Sequence, residues 1–387
     1  MLADYRTRHP DGTIVLSAIT PQSRNSFEGA SYVTSFFCEA VYRSTGTAMR
    51  LIRAIGVLFS AALFLLLYRL GIRAYGVGGK RLSPFYRALA ECDQVVGVGG
   101  GYLLSKPGFS SLVSLLITLF EFRYAQILGK PVDLYSMSIG PFTHRWHGVL
   151  VARMLNRCRR ITIREELSRT CLKDSGVSGP EVRKALDAAF YFQTDQTKAM
   201  RNFLMKKGIF FTRPVLGITV RRCFADEHQA HFEQAFACCA QFTASELGWK
   251  VVFIPQVTAA DQNDDDREVY KRIAGHLKPH RNIVFLRDAF SYKEVKGIYE
   301  NLSYLIGTRM HSVIFSLTAG VPSIAIAYEP KTLGIMTWLG LQKWVLMKEE
   351  VTADRLIGKL RQLLRSEGAY RSYLREDPPW MNGVYGR

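Results

Sequence analysis

A chain of 387 residues, 48% hydrophobic and 22% charged, is long for one core and has neither a disordered nor a fibrous composition, so two globular domains are expected. Fifty-one Lys and Arg against 33 Asp and Glu leave a formal charge of +18, which favours an anionic partner: nucleic acid, an acidic membrane surface or a phosphorylated substrate. The basic residues lack the aromatic interleaving of a nucleic-acid platform, and no nucleic-acid partner is expected.

The chain opens on MLADYRTRHPDG, read as a helix end and a turn, before TIVLSAI, a strand rich in β-branched residues. A domain that opens this way is expected to lack its first strand and loop. LIRAIGVLFSAALFLLLYRLGIR, from Leu51 to Arg73, holds an apolar run from Ala54 to Tyr68 between Arg53 and Arg69. That run is shorter than the roughly 20 residues that span a bilayer. It predicts a helix that is buried or lies at a membrane surface.

Next comes a buried strand from Gln94 to Val98 that is expected to run into a glycine turn, Gly99, Gly100 and Gly101. PVDLYSMSIGPF is a strand ending at Gly140 and Pro141. A basic helix from Arg145 to Arg159 leads into RRITIREELS, whose strand end carries Arg164 and Glu165. The pattern loosens between Phe192 and Pro214, where a linker is expected.

A second strand–helix series follows, in order LGITVRR, a helix around Phe232–Leu247, VVFIPQ, the acidic turn DQNDDD, a helix, NIVFLRD, and a helix near Tyr292–Glu300. After the strand YLIG and its helix come PSIAIA, AYEPK and a closing helix over Ala353–Leu364. Alternation of this kind predicts α/β architecture with parallel sheets and ligands outside the carboxyl ends of the strands. The boundaries read from the sequence are 1–195 for an acceptor domain, 196–370 for a donor-binding domain and 371–387 for an irregular tail crossing back to the first domain.

Seven cysteines form no CxxC pair, and reduced thiols in a cytoplasmic protein are expected. Neither GVGGGY at 97–102 nor GVGGKR at 76–81 is a dinucleotide fingerprint, because Tyr102 and Arg81 occupy the last glycine position. The three glycines still permit close backbone approach to a ligand. His228 and His231 beside Asp226 and Glu227 make either a metal cluster or, preferably, an exposed helix start. The acidic turn lacks calcium-loop spacing and reads as a solvated helix start. His144 and His147 either touch an acceptor or lie on the surface.

The most informative run is YLIGTRMHSVIFSLTAGVPSIAIAYEPK, 304–331. A strand feeds a helix there, and Gly307 and Thr308 at the join would let a phosphate reach the first helix amides. Arg309 adds a planar cationic fork and His311 a group that titrates near neutrality. Glu329 and Lys331 fall at the next strand end, Arg221 and Arg222 at the end of LGITV, and Gln256 at the end of VVFIP. Together they predict an anion site.

Taken in order, VVGVGGGYLL, SMSIGPF, ITIREELSRTCLKDSGV, DAAF, LGITVRR, VVFIPQ and LIGTRMHSVIFSLTAGVPSIAIAYEPKTLGIMTWLGL resemble the successive blocks of the polysaccharide pyruvyl transferase family. The R-x-H step and the Y-x-x-K loop carry most of that resemblance. It implies two Rossmann-like domains, GT-B-like, with a cleft between them, and transfer of a pyruvyl group from phosphoenolpyruvate to sugar hydroxyls as a ketal. The family's opening Asn-x-Gly-Asp loop is not visible in this sequence.

On that resemblance His311 is the expected acid or base, with Arg309 and Glu329 beside it as catalytic residues. Gly307, Thr308, Arg221, Gln256, Lys331, Gly99, Gly100, Gly101 and Arg164 are the expected substrate contacts. The scheme demands no metal and no cofactor, with phosphoenolpyruvate as co-substrate. The expected acceptor is a glycan or lipid-linked oligosaccharide of an exopolysaccharide, capsule or envelope. The expected location is cytoplasmic, peripheral on the cytoplasmic face of the inner membrane through contact with its anionic surface. Two other readings remain open from the residues: a GT-B glycosyltransferase using a nucleotide sugar, and a non-catalytic glycan-binding member.

Overall fold

A computed structural model of the chain describes residues 11–18, 30–35, 47–225, 227–259, 264–376, 378 and 380. The chain divides into two compact units, Met1–Lys184 and Ala185–Arg387. The sequence reading put the division after residue 195. The structure puts it earlier because Leu186 and Phe190 already pack in the core of the second unit.

Among the described residues, the first elements of the first unit are two strands, β1 (Ile14–Ala18) and β2 (Ala30–Thr34), paired parallel. Helices α1 (Thr47–Arg69) and α2 (Gly79–Glu91) follow. Next come β3 (Val95–Leu103), α3 (Phe109–Ile127), β4 (Val132–Ile139), α4 (Arg145–Leu155), β5 (Arg160–Ile163), α5 (Glu166–Ser175) and β6 (Glu181–Lys184). The last four strands make one parallel sheet, ordered β3-β4-β5-β6. Leu134, Met137, Ile139, Ile161 and Ile163 on its two inner strands are fully buried, as expected of parallel strands covered by helices.

The expected glycine turn is corrected here: β3 runs on through Gly99, Gly100 and Gly101 to Leu103. Its pairing with β4 shifts register between Gly100 and Leu103. A Cβ on Gly100 would lie 2.8 Å from the Tyr102 ring, so that glycine serves an irregular edge strand.

The second unit holds α6 (Thr197–Lys206), β7 (Val215–Thr219), α7 (His228–Ser245) and β8 (Lys250–Phe253). A short antiparallel pair, β9 (Thr258–Ala259) and β10 (Asp264–Asp265), precedes α8 (Asp266–Gly275) and β11 (Ile283–Phe285). Then come α9 (Tyr292–Tyr299), β12 (Tyr304–Gly307), α10 (Met310–Thr318), β13 (Ser323–Ala327), α11 (Pro330–Trp338), β14 (Val345–Met347), α12 (Ala353–Arg365) and α13 (Glu367–Glu376).

Six of these strands form one parallel sheet in the order β11-β8-β7-β12-β13-β14. The chain runs outward from β7 through β8 to β11, returns to lay β12 beside β7, and continues outward to β14. β7 and β12 therefore flank the point where the winding reverses, the place where such sheets hold ligands. Every residue of β7, β12 and β13 is buried, which explains their unbroken apolar runs. α12 shows the complementary pattern: Leu356, Leu360 and Leu363 are buried at spacings of four and three.

The expected irregular tail is also corrected. Residues 371–376 belong to α13, and the Tyr370 hydroxyl donates to the Ser323 carbonyl at 3.0 Å while its ring stacks on Trp344. Trp380 stacks on Phe190 of its own unit at 5.3 Å. Residues 381–387 lie outside the described residues.

Candidate active site

The candidate site is built at the carboxyl ends of β7, β12 and β13. Gly307 closes β12, and a Cβ there would lie 2.7 Å from Ser312 Oγ and 3.0 Å from Val313 Cγ2. Its glycine is therefore required by the close return of α10 onto the strand. Thr308 is fully buried: its amide donates to the Thr219 carbonyl, and its Oγ1 accepts from the Arg221 amide at 3.0 Å. Thr219 and Ser312 share a hydroxyl contact of 2.9 Å. These bonds clamp the ends of β7 and β12 together and fix the first turn of α10.

Arg309, expected to reach substrate, is turned inward. It is 7% exposed, and its guanidinium binds two carboxylates. Nη2 and Nε meet Asp266 Oδ1 at 2.6 and 3.2 Å, while Nη2 and Nη1 meet Asp264 Oδ1 and Oδ2 at 2.7 and 3.0 Å. Asp266 is fully buried and its Oδ2 accepts the amides of Gln256 and Val257, each at 3.0 Å. Burial pushes its carboxyl up, while Arg309 and the two amides pull against that rise. The acidic turn is thus more than a solvated helix start. Asp265 caps α8 by accepting the Arg267 amide, but its two neighbours anchor Arg309.

Asp264 connects this buried pair to the more open side of the site. Its Oδ1 also meets Arg221 Nη2 at 3.3 Å. The Arg221 guanidinium lies 4.3 Å from the centroid of the Tyr328 ring, and its Nε has no hydrogen-bond partner. Lys331 Nζ stands 5.8 Å from the same ring and 2.7 Å from Glu329 Oε2. Two cations thus lie against one aromatic ring, with Glu329 at the N-cap of α11. Gln256 is tied back: its Oε1 accepts the Tyr299 hydroxyl at 2.6 Å.

His311 sits in the first turn of α10 with its side chain 51% exposed, open to a ligand. A carboxylate the sequence reading did not single out, Asp187, lies beside it, with Oδ1 3.9 Å from Nε2. Asp187 is buried and accepts the Ala189 amide at 2.9 Å, so its position is fixed by the turn it caps. Asp187 stands in the DAAF block, before the linker and far in sequence from the R-x-H step. Only the pairing of turn and helix brings the two together.

In the first unit, Arg164 is 3% exposed and donates to Ser138 Oγ at 2.7 Å, with Glu165 at 3.5 Å. It is enclosed by its own strand ends rather than presented to a ligand. Gly99 and Gly101 lie on the exposed part of β3. His147 is buried with Nδ1 2.8 Å from Ser105 Oγ; burial, then the neighbouring His144, lowers its pKa. His228 starts α7, and among the described residues no group of three metal-ligating side chains is present. Asp226 lies outside them.

The parallel-sheet α/β fold is shared with the GT-B sugar enzymes. The chain is similar to α,α-trehalose 6-phosphate synthase from Burkholderia multivorans, with a TM-score of 0.54 and 12% identity over 97% of this chain and 87% of that one. It is also similar to a UDP-bound MnaA of S. aureus, with a TM-score of 0.49 and 9% identity over 95% and 91%. Residues 24–330 match the polysaccharide pyruvyl transferase family, and the chain belongs to it. A relative is the amylovoran biosynthesis protein AmsJ of Erwinia amylovora, 26% identical over 291 residues, 73% of this chain and 68% of AmsJ. Membership implies a transferase with a glycan acceptor.

Proposed function

We propose that the protein transfers the pyruvyl group of phosphoenolpyruvate to two hydroxyls of a sugar in an exopolysaccharide or envelope precursor, forming a cyclic ketal. The observation that carries this reading is the pair Arg221 and Lys331 on the Tyr328 ring, after the ends of β7 and β13, with the half-exposed His311 following the strand between them, β12. Phosphoenolpyruvate is a small dianion or trianion with a carboxylate and a phosphate. Two cations and the amino end of α10 suit those groups.

In this scheme His311 delivers a proton to the methylene carbon, which leaves the adjacent carbon electrophilic. A sugar hydroxyl adds there and its proton passes to solvent. A second hydroxyl then displaces the phosphate, which leaves with that hydroxyl's proton. Arg221 and Lys331 stabilise the departing phosphate as its charge grows. Glu329, held by Lys331, is placed to accept a sugar hydroxyl. Arg309 keeps Asp264, and through it Arg221, in position. The scheme draws on no metal or further cofactor. The reaction is placed in the cytoplasm, where phosphoenolpyruvate is available.

The test is phosphate release from phosphoenolpyruvate in the presence of acceptor glycans, with thermal shift against a panel of nucleotide sugars. Stabilisation by phosphoenolpyruvate and glycan-dependent phosphate release support the reading. Stabilisation by a nucleotide sugar alone replaces it with a glycosyltransferase.

Asp187 has the role of positioning residue for His311. Asp187→Asn is expected to lower kcat by about 10- to 100-fold. The alkaline limb of its pH–rate profile moves to lower pH, because a nearby negative charge favours the imidazolium. A kcat loss with an unmoved profile would assign Asp187 to packing alone.

A further inference from the structure

None of the candidate-site residues described above lies on helix α1, and the outer face of this helix is unusually apolar. Ile52, Ile55, Phe59 and Leu66 are 62, 57, 70 and 56% exposed. Their spacing of three, four and seven puts them on one stripe, running about 21 Å along the helix. Soluble proteins seldom leave so continuous an apolar strip in water.

The inner face is firmly held. Phe64 is fully buried and stacks on Tyr86 of α2 at 4.5 Å between centroids. Ser60 Oγ lies 2.8 Å from the Tyr86 hydroxyl, and the Tyr124 hydroxyl of α3 donates to the Ala61 carbonyl at 2.7 Å. A helix fixed along one side to a water-soluble core presents only its other side to lipid, so its geometry is that of a helix lying in the interface plane.

Charge selects the occupant. From 40 to 90 the sequence carries eight Lys and Arg and no Asp or Glu. Arg53, Arg69, Arg73 and Lys80 among them are exposed. A second copy would bring an equally positive segment against this one, a like-charge juxtaposition that opposes pairing. An anionic bilayer satisfies both features: acyl chains take the stripe and headgroups take the arginines.

We infer that the outer face of α1, with its flanking arginines, docks this protein on an anionic phospholipid surface as a peripheral, in-plane helix. The inference is independent of the transfer chemistry; it concerns where the enzyme works.

Sedimentation with vesicles of phosphatidylcholine and phosphatidylglycerol, against phosphatidylcholine alone, tests it on the full chain. The wild-type protein is expected to bind the anionic vesicles, to bind less as salt is raised, and to be released by alkaline carbonate. Ile55→Ser/Phe59→Ser and, separately, Arg69→Gln/Arg73→Gln are each expected to weaken partitioning by about tenfold or more. Both double variants keep the wild-type melting temperature and the same phosphate release with a soluble acceptor, so a failed docking result leaves the proposed reaction untouched. Three results would overturn the inference: indifference to anionic vesicles, retention after carbonate as for a spanning helix, or a wild-type dimer that Ile55→Ser/Phe59→Ser converts to monomer without vesicle binding.

Discussion

His311→Ala is expected to lower kcat for phosphate release from phosphoenolpyruvate by about 10²- to 10⁴-fold, the range for removing a general acid or base. The side chain is half exposed and in the first turn of a helix held by other bonds. Unfolding should therefore be nearly unchanged, which separates chemistry from folding. Stabilisation by phosphoenolpyruvate should largely survive, since the cations proposed to bind it are Arg221 and Lys331. A rate within about twofold of wild type would remove His311 from the proton transfer. Arg221→Ala makes the contrasting variant: it is expected to raise KM for phosphoenolpyruvate, because it removes one of the two cations on Tyr328.

The largest effect on stability is expected from Arg309→Ala. Its removal leaves Asp266, with no exposed surface, holding a charge that only two amides answer. Breaking one partner of such a buried pair costs about 3–5 kcal/mol. Chemical denaturation followed by tryptophan fluorescence reports on it, because Trp249, Trp338, Trp344 and Trp380 all lie in the second unit. Arg309→Lys is expected to rescue little, since one ammonium cannot reproduce a fork that binds two carboxylates. A loss below about 1 kcal/mol would show that the pair contributes little to the fold.

The same network predicts an acid response. Burial raises the Asp264 carboxyl, but hydrogen bonds from Arg309 and the charges of Arg309 and Arg221 outweigh it and leave the pKa lowered. A carboxyl whose pKa is depressed by folding adds stability above its unfolded value of about 3.9 and loses it as pH falls through the folded value. The wild-type protein should lose part of its stability below about pH 4 from this group, and Arg309→Ala should show less of that dependence.

Much of the site's framework was legible because it follows from local rules. The unbroken apolar strands, the glycine before α10 and the cationic residues at strand ends are all short-range features of the sequence. Three expectations differ from the structure: the glycine turn is edge strand β3, residues 371–376 of the expected irregular tail are helix α13, and the solvated acidic turn is the anchor of Arg309. In each case the deciding contact is long-range. Glycines in a strand look like a turn until a neighbouring strand pairs with them. Carboxylates look solvated until an arginine from another element arrives.

By itself, the sequence determined the α/β class, the parallel strands of the second unit and the run that ends in an arginine and a histidine. It also determined the family, because those blocks occur in order. Tertiary structure alone decided which cation is open and which is spent. Arg309 and Arg221 are identical side chains at neighbouring strand ends, yet carboxylates from β10 and α8 enclose the first, while the second meets only the one from β10 and lies over Tyr328. The partner of His311 was decided the same way, because Asp187 reaches it across more than a hundred residues of chain. A guanidinium's role depends on its surroundings in three dimensions, and spacing along the chain carries no record of them.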